Sequence, residues 1–184
     1  MRDQRRWMSL SRAACGRSAR CVERHRSTEA MVTVVKLKVP LLAQEKSMCC
    51  WHTSAMMIWL YWQGQSGRQG PMNTLTPVYT ANTGLYPQSF ITLAQTVGLR
   101  QLPARNQWSN RDLLRALRDS GPIWCAGYWY GVGHVIVLTG VDGGTVYLND
   151  PDGAHQKTGT LAWFNENLAN NLTGCMQVKN PKTY

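Results

Sequence analysis

The Asp142-Gly143 pair, which lies between two runs of aliphatic and β-branched residues, constrains the fold of this chain more than any other feature. Such a pair between two apolar runs is typical of the tight turn of a β-hairpin. The runs are residues 135–141 and 145–148. His134 precedes the first run and Asp150 follows the second. Because the strands of a hairpin are antiparallel, both side chains are expected at the same end of one sheet.

The segment from Cys50 to Trp62 is dense in apolar residues and contains no Gly or Pro. This composition predicts a mostly buried helix that begins at Cys50. In the first turn of a helix, the unpaired N–H groups and the positive end of the helix dipole favour a thiolate over a thiol. The sequence therefore predicts an activated cysteine at the start of this helix.

Four side chains are of the types that thiol-dependent hydrolysis requires: Gln44, Cys50, His134 and Asp150. A thiolate is a far stronger nucleophile than a thiol, so the cysteine needs an imidazole that takes its proton. A carboxylate on the other nitrogen of that imidazole fixes its tautomer and orientation. A glutamine amide, together with the backbone N–H of the nucleophile, can stabilise the developing oxyanion. The residue types therefore predict a nucleophile, a base, an orienting acid and an oxyanion donor.

Three segments surround these residues: Gln44 to Trp51, Gly133 to Gly140 and Leu148 to Pro151. They resemble papain-like cysteine proteases, and above all two bacterial branches, the effector proteases of plant pathogens and the leader-cleaving peptidase domains of bacteriocin transporters. The resemblance covers the chain from about Val39 to about Val178. It implies an α+β papain-like fold, in which an N-terminal helical part that carries the cysteine packs on an antiparallel sheet that carries the histidine and the aspartate.

By position, the resemblance implies that Cys50 is the nucleophile, His134 the base and Asp150 the orienting acid. It implies that Gln44 contributes to the oxyanion hole. Papain has an asparagine in the orienting role, so Asn149 is an alternative to Asp150 for the contact with the histidine.

Three side chains near the motifs could compete for a role: Cys49, His52 and His155. The six-residue offset from Gln44 selects Cys50 as nucleophile, so Cys49 is expected to pack in the interior. His52 is expected on a different face of the helix, because residues i and i+2 do not share a face. His155 is expected in a loop, and a contact with substrate is its less favoured interpretation.

The resemblance implies hydrolysis of a protein substrate through a thioester, with no metal or organic cofactor. A protease of this size, without a transporter attached, resembles a bacterial effector or toxin that acts inside a target cell. An inhibitory or immunity protein in the producing cell is then expected as a partner. Alternatives with the same catalytic set are a peptidoglycan amidase and a thiol-dependent transferase. A non-enzymatic basic binding module is disfavoured by the complete set of catalytic residue types.

Residues 1–30 hold eight arginines and three acids, in a chain of 184 residues with a net charge of +10. This segment is predicted to be a disordered arm, and residues 31–184 a single papain-like domain. Binding of nucleic acid or an acidic surface by the arm is the less favoured alternative. The arm contains no signal-peptide core, and no apolar stretch is long enough for membrane insertion. We therefore expect secretion or delivery without a recognisable signal peptide, and action in a reducing cytoplasm.

Gly and Pro residues, which often end helices and strands, indicate the bounds of the remaining elements. Helices are expected at residues 87–97, 111–119 and 162–169, and strands at 32–37, 123–130 and 175–178. Residues 63–84, rich in Gly, Gln, Asn and Thr, are predicted to form a long loop at the border of the cleft. Three tryptophans are candidates for the cleft walls: Trp108, Trp124 and Trp129.

Overall fold

The computed structural model describes residues 34–68, 70–72 and 75–184. These residues fall within one compact unit, which extends over residues 32–184. The arm predicted for residues 1–30 lies outside the described residues, so the domain boundary stays a prediction. No helix in the described part of the chain combines the length and the apolarity that a membrane crossing needs.

Most helices lie in the first half of the described chain and most strands in the second half. The helices are α1 (Cys50–Ser66), α2 (Thr76–Ala81), α3 (Phe90–Thr96), α4 (Asn110–Ser120) and α5 (Leu161–Asn167), and a short 3-10 turn (Pro87–Ser89) precedes α3. The strands are β1 (Val34–Lys36), β2 (Leu99–Gln101), β3 (Ile123–Gly127), β4 (His134–Asp142), β5 (Thr145–Asp150), β6 (His155–Thr160) and β7 (Met176–Lys179). The described strands form one antiparallel sheet in the order β2-β7-β3-β4-β5-β6, and β1 also pairs with β4.

The β4–β5 hairpin forms as predicted, but its turn lies one residue further along the chain. Asp142 pairs with Thr145, and the turn consists of Gly143 and Gly144, with φ of 51° and 95°. Two consecutive positive φ angles define the type I′ turn, whose twist matches that of the flanking strands. Glycine adopts such angles without a steric penalty, which explains why both turn residues are glycine.

Two apolar clusters lie on opposite faces of the sheet. In β4, Ile136 and Leu138 pack with α4 and α5, whereas Val135 and Val137 pack with α1 and α3. Alternation of side chains along a strand produces this division. Because both faces are covered, β3 and β4 consist of nearly continuous apolar runs. The sheet is thereby fixed against α1, the helix that carries Cys50.

Two helix termini are stabilised by residues that favour these positions. Ser109 caps α4 by accepting a hydrogen bond from the N–H of Asp112, and the Asp112 carboxylate accepts one from the N–H of Ser109 in return. α1 ends at Ser66 and is followed by Gly67, which has a φ of 66°. The predicted helices at residues 87–97, 111–119 and 162–169 are present, with shifts of a few residues at their ends.

The prediction of one long loop at residues 63–84 is wrong, because α1 continues to Ser66 and α2 lies within the segment. His155 does not lie in a loop but is the first residue of β6, and β2 was not predicted at all. The three candidate tryptophans of the cleft walls are buried in the two apolar clusters instead: Trp108, Trp124 and Trp129. Indole rings bury more apolar area than any other side chain, so packing in the core prevails.

Candidate active site

Cys50 is the first residue of α1 and lies half-buried in the wall of a cleft. The preceding residue, Cys49, is the N-cap, and its side chain makes no capping hydrogen bond. The backbone N–H groups of the first turn have no acceptor within the helix and point towards the side at which α1 begins. Cys50 therefore lies at the end of the helix where these N–H groups are exposed.

His134, the first residue of β4, connects the cysteine with the sheet. Its Nε2 lies 2.7 Å from Oδ1 of Asp150, and its ring also interacts with the Cys50 thiol. Nδ1 is therefore the ring nitrogen that faces the thiol. Burial lowers the pKa of His134, but the bonds to Asp150 and Cys50 outweigh burial and raise that pKa to about 9. The imidazole is thus suited to holding the proton of a Cys50 thiolate.

Asp150, the last residue of β5, is fully buried and accepts several hydrogen bonds. Besides His134, the donors are the hydroxyl of Tyr130 at 2.8 Å, Nζ of Lys157 at 2.8 Å and the N–H of Asp152 at 2.9 Å. Burial alone would raise the pKa of Asp150, but these donors hold it well below its usual range. An ionised carboxylate only accepts hydrogen bonds, so Nε2 of His134 carries the hydrogen.

Asn149 does not compete with Asp150 for His134. Its amide donates to the backbone oxygens of Val39 and Pro40, at 3.2 and 3.3 Å. Consecutive residues of a strand point to opposite faces, so only one of the two side chains can face the imidazole. The geometry gives that position to Asp150.

Gln44 lies in the segment before α1 and lines the same cleft as Cys50. Its backbone N–H donates to the carbonyl of Pro151 at 2.8 Å, which joins this segment to the end of β5. Its Nε2 donates to the carbonyl of Ser47 at 3.0 Å, and an amide nitrogen carries a second hydrogen. The predicted role of Gln44 in an oxyanion hole uses that second hydrogen.

The competing side chains point elsewhere. Cys49 is fully buried with Sγ 3.7 Å from Oδ1 of Asn82, and burial raises the pKa of its thiol. His52 packs on the ring of Tyr79, with ring centroids 4.4 Å apart, and burial lowers its pKa. His155 is exposed on β6. None of these three side chains lines the cleft that contains Cys50.

The cleft has a volume of about 810 Å³. Its polar residues include Gln44, Cys50, His134 and Asp152, and Thr83 and Gly84 from the end of the predicted loop border it. Apolar side chains form much of its walls: Met48, Leu85, Tyr86, Phe90, Val132 and Leu172. A few polar groups at one place in an apolar cleft are typical of a site that binds and positions a substrate. In the described part of the chain, no group of three or more His, Cys, Asp or Glu side chains is arranged to hold a metal ion.

Sequence reasoning missed two partners of Asp150, the hydroxyl of Tyr130 and the ammonium of Lys157. Lys157 also lies 3.1 Å from the Tyr130 hydroxyl and 4.2 Å from the centre of its ring. Lys157 pairs with Leu148, two residues before Asp150, so it is a diagonal neighbour on the same face of the sheet. Prediction of β6 as the partner of β5 would have revealed this neighbour.

A cysteine at the start of a helix, opposite a histidine and an aspartate on an antiparallel sheet, defines a papain-like cysteine protease. The family model described as papain-like cysteine protease AvrRpt2 matches residues 33–169, and the chain belongs to this family. The fold is similar to that of a double-glycine-motif protease from an AMS/PCAT transporter, crystallised with its leader peptide. The TM-score is 0.50 at 16% identity, over 79% of this chain and 92% of that one. No curated protein matches the chain by sequence.

These comparisons confirm the predicted papain-like fold and the cysteine protease class. The fold similarity places the two chains in one architecture. The roles of the individual site residues rest on the geometry described above and on the chemistry that it permits.

Proposed function

We propose that this cysteine protease is an endopeptidase that cleaves a protein substrate through a thioester on Cys50. The observation that carries the proposal is the hydrogen bond from His134 to the buried Asp150, with Cys50 interacting with the same imidazole. Each of these residues lies at the end of a rigid element of the same compact unit. Such a preorganised arrangement is what nucleophilic catalysis by a thiol requires.

The proposed reaction begins with the ion pair of a Cys50 thiolate and a His134 imidazolium. The thiolate attacks the carbonyl carbon of the scissile peptide, and its oxygen becomes an oxyanion. The Gln44 amide and the N–H of Cys50 stabilise this oxyanion, because Gln44 and Cys50 both line the cleft. The imidazolium then gives its proton to the leaving amine, and the acyl group stays on sulphur as a thioester.

Deacylation follows the same steps with water in place of the thiolate. The neutral His134 takes a proton from the water, the oxygen attacks the thioester, and the same donors stabilise the second oxyanion. The thiolate leaves, and the ion pair with the imidazolium forms again. Asp150 keeps the imidazole in one tautomer throughout, because its carboxylate accepts the Nε2 hydrogen.

The shape of the cleft supports an extended peptide as substrate. The walls of the cleft, which Cys50 lines, provide apolar area that substrate side chains can contact. The protease of similar fold was crystallised with a leader peptide. We therefore propose that a peptide segment of a protein substrate binds in the cleft of this chain.

For the biological role, we propose a bacterial effector or toxin that is secreted or delivered and acts in the reducing cytoplasm of a target cell. The resemblance of the catalytic motifs to small effector proteases supports this role. A reducing compartment suits a catalytic thiolate, which is inactive once it is oxidised. A producing cell would then need an immunity protein, and a protein that covers the cleft is the expected form of inhibition.

Proteome-wide mapping of new N termini tests the proposed activity directly. Lysate of a candidate target cell is treated with the wild-type protein or with Cys50→Ala, which keeps the cleft but lacks the nucleophile. We expect new N termini only with the wild type, and they should share residues around the cut. Release of fragments from isolated cell wall without new N termini would instead identify an amidase, and incorporation of an added amine would identify a transferase.

A further inference from the structure

Asn82, the residue that follows α2, has an unusual backbone conformation. Its φ of 52° and ψ of 41° lie in the left-handed region, where Ala154 is the other described residue that is not glycine. Asparagine tolerates this region better than most residues, since its short polar side chain can hydrogen-bond locally. The conformation ends α2 and directs the Asn82 amide towards the segment that precedes α1.

The Asn82 side chain contacts the loop of residues 44–49, which precedes α1. The three residues that it contacts are consecutive. Its Oδ1 accepts the N–H of Met48 at 3.0 Å and lies 3.7 Å from Sγ of Cys49. Its Nδ2 donates to the hydroxyl of Ser47 at 3.2 Å. One side chain thus uses both its acceptor and its donor on a single short segment of the chain.

The contacts continue from Asn82 to the proposed oxyanion donors. Ser47 accepts a hydrogen bond from the Gln44 amide through its carbonyl, so the position of Ser47 determines that of the amide. Cys49 is the N-cap of α1, and its carbonyl accepts the first bonds of the helix. Asn82 therefore holds residues 47–49, which join Gln44 to Cys50 in the chain.

We propose that Asn82 is a positioning residue of the oxyanion hole. By holding residues 47–49, it keeps the Gln44 amide and the N–H of Cys50 directed at one point in the cleft. Stabilisation of an oxyanion depends steeply on such geometry, because donors act at full strength only when they are fixed in advance. The inference rests on the oxyanion role proposed above for Gln44 and Cys50.

Two small reagents separate this role from a general role in folding. p-Nitrophenyl acetate acylates the cysteine through a tetrahedral oxyanion, so its rate reports the oxyanion hole. Iodoacetamide alkylates the same thiolate by displacement of iodide, and no oxyanion forms, so its rate reports the ion pair alone. Neither reagent depends on the unknown cleavage sequence. Subtraction of the Cys50→Ala rate removes the contribution of other groups.

The variant for the test is Asn82→Gly, since glycine keeps the left-handed backbone and removes only the amide. Gln44→Ala serves as the reference for loss of one donor. The matched control is Asn165→Ala, because Asn165 makes three side-chain hydrogen bonds to Trp108 and Leu161 and does not line the cleft. All variants are first compared by thermal unfolding, so that rates are measured on folded protein.

We expect Asn82→Gly to slow acylation by about ten- to a hundred-fold. A displacement of a catalytic group by about 1 Å can cost as much as a hundred-fold in rate. Gln44→Ala should slow acylation by about a hundred-fold or more. In both variants alkylation by iodoacetamide should proceed at the wild-type rate. Asn165→Ala should change neither rate, although it lowers the unfolding temperature.

Three outcomes would overturn the inference, and they are distinguishable. If Gln44→Ala slows acylation but Asn82→Gly does not, the oxyanion hole exists without help from Asn82. If Asn82→Gly slows acylation and alkylation equally, Asn82 only maintains the fold or the ion pair. If Gln44→Ala leaves acylation unchanged, the proposed role of Gln44 is wrong and the inference that rests on it is wrong as well.

Discussion

The two sides of the candidate site are held in place in different ways. The sheet side, which comprises Tyr130, His134, Asp150 and Lys157, is centred on a fully buried carboxylate with donors at 2.7–2.9 Å. The loop side, which comprises residues 44–49 and the α2 residues around Asn82, is more open to solvent. Its contacts with α2 include Tyr79 to Glu45 at 2.8 Å and Lys46 to the Tyr79 carbonyl at 3.1 Å.

This difference predicts different responses to mutation. On the sheet side a change removes a partner from a buried charge, which costs both stability and orientation of the base. On the loop side the polar contacts are partly solvated, so single changes should cost little stability and act mainly through the position of the oxyanion donors. Mutations on the sheet side should therefore lower both activity and stability. Mutations on the loop side should lower activity with little change in stability.

The largest effect is expected at Cys50, where the two sides meet. Cys50→Ala should reduce turnover by on the order of 10⁴-fold or more, because no other described thiol faces His134. Cys49→Ala is the matched control and should keep most of the activity, since Cys49 is buried against Asn82. Mass spectrometry after brief treatment with iodoacetamide should find the label on Cys50. Preferential labelling of Cys49 would contradict the assignment of the nucleophile.

The next effect concerns the orienting acid on the sheet side. Asp150→Asn should lower kcat/KM by about ten- to a thousand-fold, because an amide can still orient His134 but stabilises the imidazolium less. It should also lower the free energy of unfolding, since Lys157 loses its charged partner. Asn149→Ala is the control and should leave kcat nearly unchanged. A large loss of kcat in Asn149→Ala with none in Asp150→Asn would transfer the orienting role to Asn149.

The raised pKa of His134 makes stability depend on pH. Burial lowers the pKa of His134, but Asp150 and Cys50 raise it from 6.5 to about 9 in the folded chain. Protonated His134 therefore stabilises the folded state fully below about pH 6.5, and this contribution is lost as the pH rises to about 9. Its upper limit is about 3 kcal/mol for a shift of this size.

Denaturant unfolding of the wild type and of His134→Gln across this pH window measures the contribution. The difference in unfolding free energy between them should decrease as the pH rises, because only the wild type carries the titrating imidazole. A difference that stays constant from pH 6.5 to about 9 would show that the folded and unfolded pKa values of His134 coincide.

A smaller effect is expected at Lys157, the half-exposed partner of the buried carboxylate. Lys157→Met removes a cation from Asp150 but keeps the apolar stem, so the free energy of unfolding should fall by about 1 kcal/mol. Because the cation also opposes a positive charge on His134, its loss should move the alkaline limb of the pH–rate profile to higher pH. Lys36→Met, an exposed lysine in β1 next to Asp142, is the control and should show neither change. Equal effects of the two variants would show that Lys157 does not act on Asp150 and His134 in the way proposed.

The elements that carry the candidate site residues could be predicted from the sequence because their signals are local. The apolar run after Cys50 predicts α1, and the glycine turn between two apolar runs predicts the hairpin that places His134 beside Asp150. Each depends on a pattern within a few residues. The choice between Asp150 and Asn149 needed the register of β5, which no local pattern determines.

The supporting contacts could not be predicted, because they come from elements without an apolar pattern. β6 consists of polar residues and glycine on the edge of the sheet, so nothing in its composition predicts a strand or the position of Lys157. α2 has only six residues and buries none of them, so its existence and the turn at Asn82 leave no periodic signal. Both sides of the site thus depend on contacts that only tertiary structure reveals.

The smallest effect is expected from the basic segment at residues 1–30, which supplies none of the proposed catalytic groups. If the sheet side and the loop side are sufficient, a chain that starts at Met31 should label at Cys50 and cleave at the rate of the full chain. The opposing hypothesis is that its eight arginines dock on an acidic substrate or on nucleic acid, an attraction that salt screens. Rates of both chains at low and high salt decide between them. Equal rates of the two chains at both salt concentrations would show that the sheet side and the loop side are sufficient for catalysis. A lower rate of the truncated chain that recovers to the rate of the full chain at high salt would assign the arm a part in substrate binding.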